Sequence, residues 1–216
     1  MEKKFELTDK FVFNTFGIKL FQIKCTKSFK YAKEGDLGGY VEKDENLDQE
    51  SNAWVSGNAW VSGNAQVSGN AQVSGNAWVY GDARVSGDAQ VSGNARVSGD
   101  AQVSGNAWVS GNAWVYGNAQ VSGNAWVSGD ARVSGNADIE NNNNHCGFDC
   151  FGSCNRHTHA YLTKDNKVEI TCGCFRGSIE EFEKKVEKTH SGKIYEKQYK
   201  AIINAIKIKF GLTDLI

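Results

Sequence analysis

From Asn52 to Ala137 the chain repeats one pattern of polar and apolar positions every six residues: Asn or Asp, Ala, a variable residue, Val, Ser or Tyr, Gly. Ala and Val stand two apart. In an extended segment both therefore point to one face, and the residue between them points to the other. A period of six matches neither one turn nor two of a 3.6-residue helix. Gly followed by Asn or Asp supplies two residues that tolerate positive φ, which a sharp corner needs. A short strand and a corner every six residues predict a parallel β-solenoid, with Val and Ala stacked inside and the variable residue outside.

The flanks are patterned differently. In residues 1–36, FELT and FVFNTFGIKLFQI alternate apolar and polar positions around NTFG, which predicts a β-hairpin. Such a hairpin would cover the open end of the first coil, since an uncapped solenoid presents unpaired strand edges. Val41, Leu47 and Ala53 are already six apart, so the solenoid is expected over 37–139. Beyond DIENNNN, residues 140–216 form a Cys- and His-containing α+β tail of two strands and two helices. AYLTKDNKVEITCGCF predicts a hairpin turning at DNK. Ser178 and Glu181 make a capping box for a helix to about His190. Tyr195, Tyr199, Ile202, Ile203, Ile206 and Phe210 mark one face of a second helix stopped at Gly211.

The run YAKEGDLGGYVEKDENLDQESNAWV leading into tandem NAxVSG units resembles the YdcK-like hexapeptide-repeat proteins of phages, prophages and other mobile elements. FGSCNRHTHAYLTKDNKVEITCGCFRGSIEEFEKKVEKTH resembles the tail of their phage-borne members. The resemblance implies an all-β, left-handed parallel β-helix of triangular section with three hexapeptides per coil, giving between five and six coils. Coils would stack at the ~4.8 Å strand spacing. Positions 18 apart then share a face. The first face carries Trp54, Gln72, Gln90, Trp108 and Trp126. The second carries Trp60, Trp78, Arg96, Trp114 and Arg132, with Tyr80 and Tyr116 beside it. The third carries Gln66, Arg84, Gln102, Gln120 and Asp138.

Composition narrows the function. The net charge is −1, so the whole molecule is no polycation, and direct nucleic-acid or membrane binding is not expected. No apolar run approaches the ~20 residues of a membrane span and no signal-peptide core follows Met1, so a cytoplasmic location is expected. Hexapeptide acyltransferases need a His general base in a cleft. All four histidines lie beyond the solenoid and no loop interrupts its coils, so an enzyme is not expected. Cys146, Cys150, Cys154, His157 and His159 are zinc-compatible ligand types. Their C-x3-C-x3-C spacing suits packed thiols better than a zinc module, so no cofactor is expected. CGCFRGS before a helix lacks the spacing of known phosphate loops and reads as a plain turn.

The reading is a non-enzymatic solenoid scaffold or interaction protein. Trp60, Trp78, Tyr80, Arg96, Trp114, Tyr116 and Arg132 form its contact face toward a protein partner or a second copy. The mobile-element resemblance implies a host defence protein or ribonucleoprotein as that partner, which the chain would bind and inhibit. The alternatives are a nucleotide or other small-ligand binder using the Trp/Arg face, and a degenerate acyltransferase.

Overall fold

A computed structural model describes residues 3–212. Fifteen two-residue strands, β4 to β18 in chain order, follow one another at six-residue intervals from Trp54–Val55 to Asp138–Ile139. All but the last three pair in parallel with the strand 18 residues on, as Trp60 does with Trp78 and Val61 with Val79. The result is a left-handed parallel β-helix of about six turns, three hexapeptides to the turn. The three sheets carry the three faces in the register expected.

Coils are joined by backbone hydrogen bonds in one direction. The N–H groups of one coil donate to carbonyls of the next, as Trp60 N does to Ala77 O at 2.9 Å and Ser62 N to Val79 O at 3.0 Å. Inside, the column from Ala53 to Val133 is Ala and Val alone, all within 2% of complete burial. Leu47 and Ile139 fill its two ends. Corner glycines hold positive φ and touch one another. A Cβ on Gly105 (φ +64) would lie 2.9 Å from Gly123 N, so both conformation and space demand glycine there. Corner Asn side chains form a second ladder, Asn76 donating to Asn94, Asn94 to Asn112 and Asn112 to Asp130. Asp can accept but not donate, so the chain of bonds ends at it.

The N-terminal end is closed by a hairpin of β1 (Phe5–Phe13) and β2 (Lys19–Cys25), as expected. Strand β2 also pairs antiparallel with β3 (Leu37–Val41), and β3 pairs in parallel with Trp60–Val61. The hairpin thus extends the second face into an eight-stranded sheet. At this end the solenoid's unpaired groups are carbonyls, and the buried Lys4 ammonium donates to those of Asp48, Ser51 and Ala53. Burial pushes its pKa down to about 8.

The tail has four strands, not two. They are β19 (His145–Phe151), β20 (Arg156–Leu162), β21 (Val168–Cys172) and β22 (Phe175–Ser178), an antiparallel sheet in chain order. The CGC segment is a two-residue turn at Gly173–Cys174, since Cys172 pairs with Phe175. Two helices cover one face of this sheet, α1 (Ile179–His190) and α2 (Ile194–Lys209). Ser178 and Glu181 form the expected capping box. At Gly211 the bonds Gly211 N to Ile208 O and Leu212 N to Lys207 O close α2 in a Schellman turn. Ile170, Ile179, Phe182, Tyr199, Ile202 and Ile206 pack between helices and sheet.

The other face of the tail sheet closes the last coil. Tyr161 of β20 joins the solenoid core, and Ser134 and Tyr161 hydroxyls lie 3.3 Å apart. Ala137 and Thr163 form an antiparallel bridge, and Lys164 N donates to Asn136 O. Unpaired groups here are N–H donors, and Asn142 Oδ1 accepts from Trp126 N at 2.8 Å. Among the described residues no helix is long and apolar enough to cross a membrane.

Candidate interaction surfaces

The second face is a ladder in two parts. Trp60 and Trp78 stack at 4.8 Å with their planes 5° apart, and the Arg96 guanidinium lies 4.2 Å above the Trp78 ring. Beyond Arg96 the ladder changes direction. Trp114 leans on Tyr116 at 4.9 Å and donates from Nε1 to Ser98 Oγ. Arg132 turns to the tail, where Nη1 donates to Gly173 O at 2.7 Å. Tyr80 is met at 6.0 Å by Phe16 from the hairpin tip. The seven residues read as one contact face therefore share a sheet, but the cap reaches one end of it and the tail the other. Tyr80 and Tyr116 alternate with Ser62, Ser98 and Ser134 on successive coils, and all three serines are buried.

The most open tryptophans are on the first face. Trp108 and Trp126 stack at 5.3 Å and 11°, and they remain 41% and 52% exposed. Trp54 on the same face is buried beneath Phe29, whose ring is 5.5 Å away. Sequence reasoning did not include Trp108 or Trp126 in the contact face. Their recurrence one coil apart was visible, whereas the partial burial of the second-face tryptophans was not. The third face is polar throughout, and Gln66, Arg84 and Gln102 are exposed.

A cleft of about 810 Å³ opens where the second face meets the tail. Arg96, Trp114 and Arg132 form one wall, and Arg156, His157 and Thr171 form the other.

The Cys and His residues do not converge on a metal site. Side chains alternate along β20, so His157, His159 and Tyr161 face the solenoid while Thr158 and Ala160 face the helices. Cys146 is in register with Ala160 and lies on the helix side, where burial pushes its thiol up to about 11. Cys150 near the end of β19 and Cys154 in the turn after it are exposed. The sheet thus separates Cys146 from His157 and His159, and the spacing between the remaining thiols leaves them at the turn. Among the described residues no group of three or more His, Cys, Asp or Glu side chains is placed to hold a metal ion. All six cysteines are free.

Two of the histidines, His145 and His159, are hydrogen-bonded in series. His145 Nδ1 and His159 Nε2 are 3.0 Å apart, and His159 Nδ1 lies 3.4 Å from Arg132 O. With Arg132 O as the fixed acceptor, His159 donates from Nδ1 and accepts at Nε2 from His145. Burial lowers the pKa of His145 to about 4 and of His159 to about 3. His157 Nδ1 donates to Asp149 at 2.6 Å. None of these rings lies in the solenoid, and no loop is inserted between its strands, so the groove and base of a hexapeptide acyltransferase are not assembled there.

Residues 53–155 match a family model described as Bactofilin: polymer-forming cytoskeletal. The match spans the repeats and reaches the first tail hairpin, leaving the N-terminal hairpin and both helices outside it. It makes the solenoid similar to a polymer-forming cytoskeletal family, and it carries neither the phage origin nor the host-defence partner that the flanks suggested. No curated protein matches the chain.

Proposed function

We propose that the chain is a non-enzymatic scaffold that self-associates side by side, with the first face as the contact. The observation that carries this reading is the stacked pair Trp108 and Trp126, exposed on a solenoid whose two ends are both covered. An uncapped β-helix can add a copy at either end, because unpaired strand groups there template another coil. Here Lys4 occupies carbonyls at one end, and the tail sheet lies over the other. The resemblance to a polymer-forming family supports self-association, and the closed ends direct it to the sides.

Aromatic side chains anchor protein interfaces, and truncating a central one typically removes ~2 kcal/mol or more of binding energy. Flanking Gln72 and Gln90 give the patch a polar continuation along the same sheet. Sedimentation equilibrium of the full chain tests the proposal. The parent should associate with increasing concentration, and Trp108→Ala with Trp126→Ala should weaken association at least thirtyfold. Association unchanged by the double substitution would refute the first-face contact.

A further inference from the structure

We infer that the cleft between the second face and the tail sheet binds a small phosphorylated ligand with a planar ring, a nucleoside phosphate. At about 810 Å³ it falls within the range of small-molecule sites. Three of the chain's five arginines, Arg96, Arg132 and Arg156, line it. Among the described residues none of these three forms an ion pair, whereas Arg176 is held by Glu169. The carboxylate in the lining, Asp130, accepts from Asn112 and ends the Asn ladder.

Three like charges gathered around one concavity repel one another unless an anion is present. They are also brought together actively. Arg132 donates to Gly173 O, and the Arg156 side chain lies across the same glycine, where a Cβ would come within 2.5 Å of its Nη1. Planar guanidinium forks match phosphate oxygens in bidentate fashion, which an ammonium does not.

The aromatic partner is Trp114. Elsewhere on this face each indole is covered by the next side chain of the ladder, as Trp60 is by Trp78 and Trp78 by Arg96. Arg96 stacks back on Trp78 and Arg132 reaches for the tail, so among the described residues neither guanidinium covers Trp114. Tyr116 leans on Trp114 at a tilt of 42°, not stacked face to face, so the indole stands beside three phosphate-binding groups, which is the pairing a base and its phosphates require. This site is on a different face from the proposed self-association contact, and either can fail without the other.

Isothermal titration of the full chain at low salt, with ADP, GDP, UDP, adenosine and pyrophosphate, tests the inference. At least one nucleoside diphosphate should bind, with adenosine at least tenfold weaker. Arg96→Gln with Arg156→Gln should weaken nucleotide and pyrophosphate alike by at least tenfold, while Arg84→Gln on the third face changes neither. Trp114→Leu should reduce nucleotide binding to the level of pyrophosphate and leave pyrophosphate as it was. Binding of none of the three nucleotides, or equal loss in Arg84→Gln, would overturn the site. Tighter binding of a single-stranded RNA dodecamer than of every nucleotide would overturn the small-ligand assignment.

Discussion

Val97 offers the sharpest test of what holds the rod together. It is completely buried mid-solenoid, with Val79 and Val115 in register on the coils before and after. Its neighbour Arg96 is exposed on the opposite side of the same two-residue strand. In Val97→Asp the carboxyl would enter a column of Ala and Val with no charged partner. Protonating an Asp of unfolded pKa ~3.9 at pH 7 costs about 4 kcal/mol, since each pKa unit is worth ~1.4. The neutral acid still leaves buried polar atoms unpaired, about 1–3 kcal/mol, and forfeits the burial of Val, about 1.5–3 kcal/mol. Together these approach the ~5–15 kcal/mol that holds a typical domain folded. Val97→Asn carries only the last two losses, so the two variants should differ by about 4 kcal/mol at pH 7 and converge near pH 4. Urea denaturation followed by circular dichroism at both pH values reads this directly, with Gln102→Asp, exposed on the third face beside buried Val103, as the outward control within about 0.5 kcal/mol of the parent. A Val97→Asp protein that unfolds at the parent's midpoint, with Gln102→Asp the damaged one, would mean that inside and outside are exchanged.

Lys4→Met should destabilise the N-terminal coil by about 2 kcal/mol, because three carbonyls lose a charged donor. Hydrogen exchange should then rise at β3 and not at the tail, and uniform exchange would contradict the capping role. The native chain keeps His145 and His159 neutral down to about 4 and about 3, against 6.5 for the ordinary ring. Between those values and 6.5 the unfolded chain binds more protons, so this stability is complete above about pH 6.5 and is lost as pH falls. Tail unfolding should therefore shift down on acidification from pH 7 toward 4, and His145→Gln with His159→Gln should flatten the slope; a parent insensitive to pH in that window would refute it. EDTA should leave the melting temperature unchanged, because the tail sheet puts Cys146 and the histidines on opposite faces. Zinc at one per chain with EDTA lowering the melting point would overturn that.

The solenoid was legible because each hexapeptide carries its own geometry: Val and Ala two apart for the strand, Gly with Asn or Asp for the corner. Sorting the outward residues onto faces needs the number of hexapeptides per coil, which the repeat does not encode and the family resemblance supplied. The tail was read less well. RHTHAYL alternates as cleanly as any strand, with His157, His159 and Tyr161 opposed to Thr158 and Ala160. Its density of Cys and His drew attention to ligand chemistry instead of to the pleat. FRGS pairs as a strand and not as part of the turn, because Gly173 and Cys174 suffice for it. Exposure on the faces was beyond local reading. Trp54 is covered by Phe29 and Trp108 by nothing comparable, and both facts depend on where the cap folds back. The cleft likewise joins Arg96 and Arg132 of the coils to Arg156 of the tail, a meeting set by tertiary packing alone.

Whether capped rods meet along their sides is read most directly from electron micrographs of the full chain at concentrations where it associates. The expected particles are rods of one fixed length lying in lateral pairs or sheets, and Trp108→Ala with Trp126→Ala should return them to single rods. Filaments one rod wide, with collinear axes and lengths that grow with concentration, would show that the ends are open to stacking and would contradict the lateral contact.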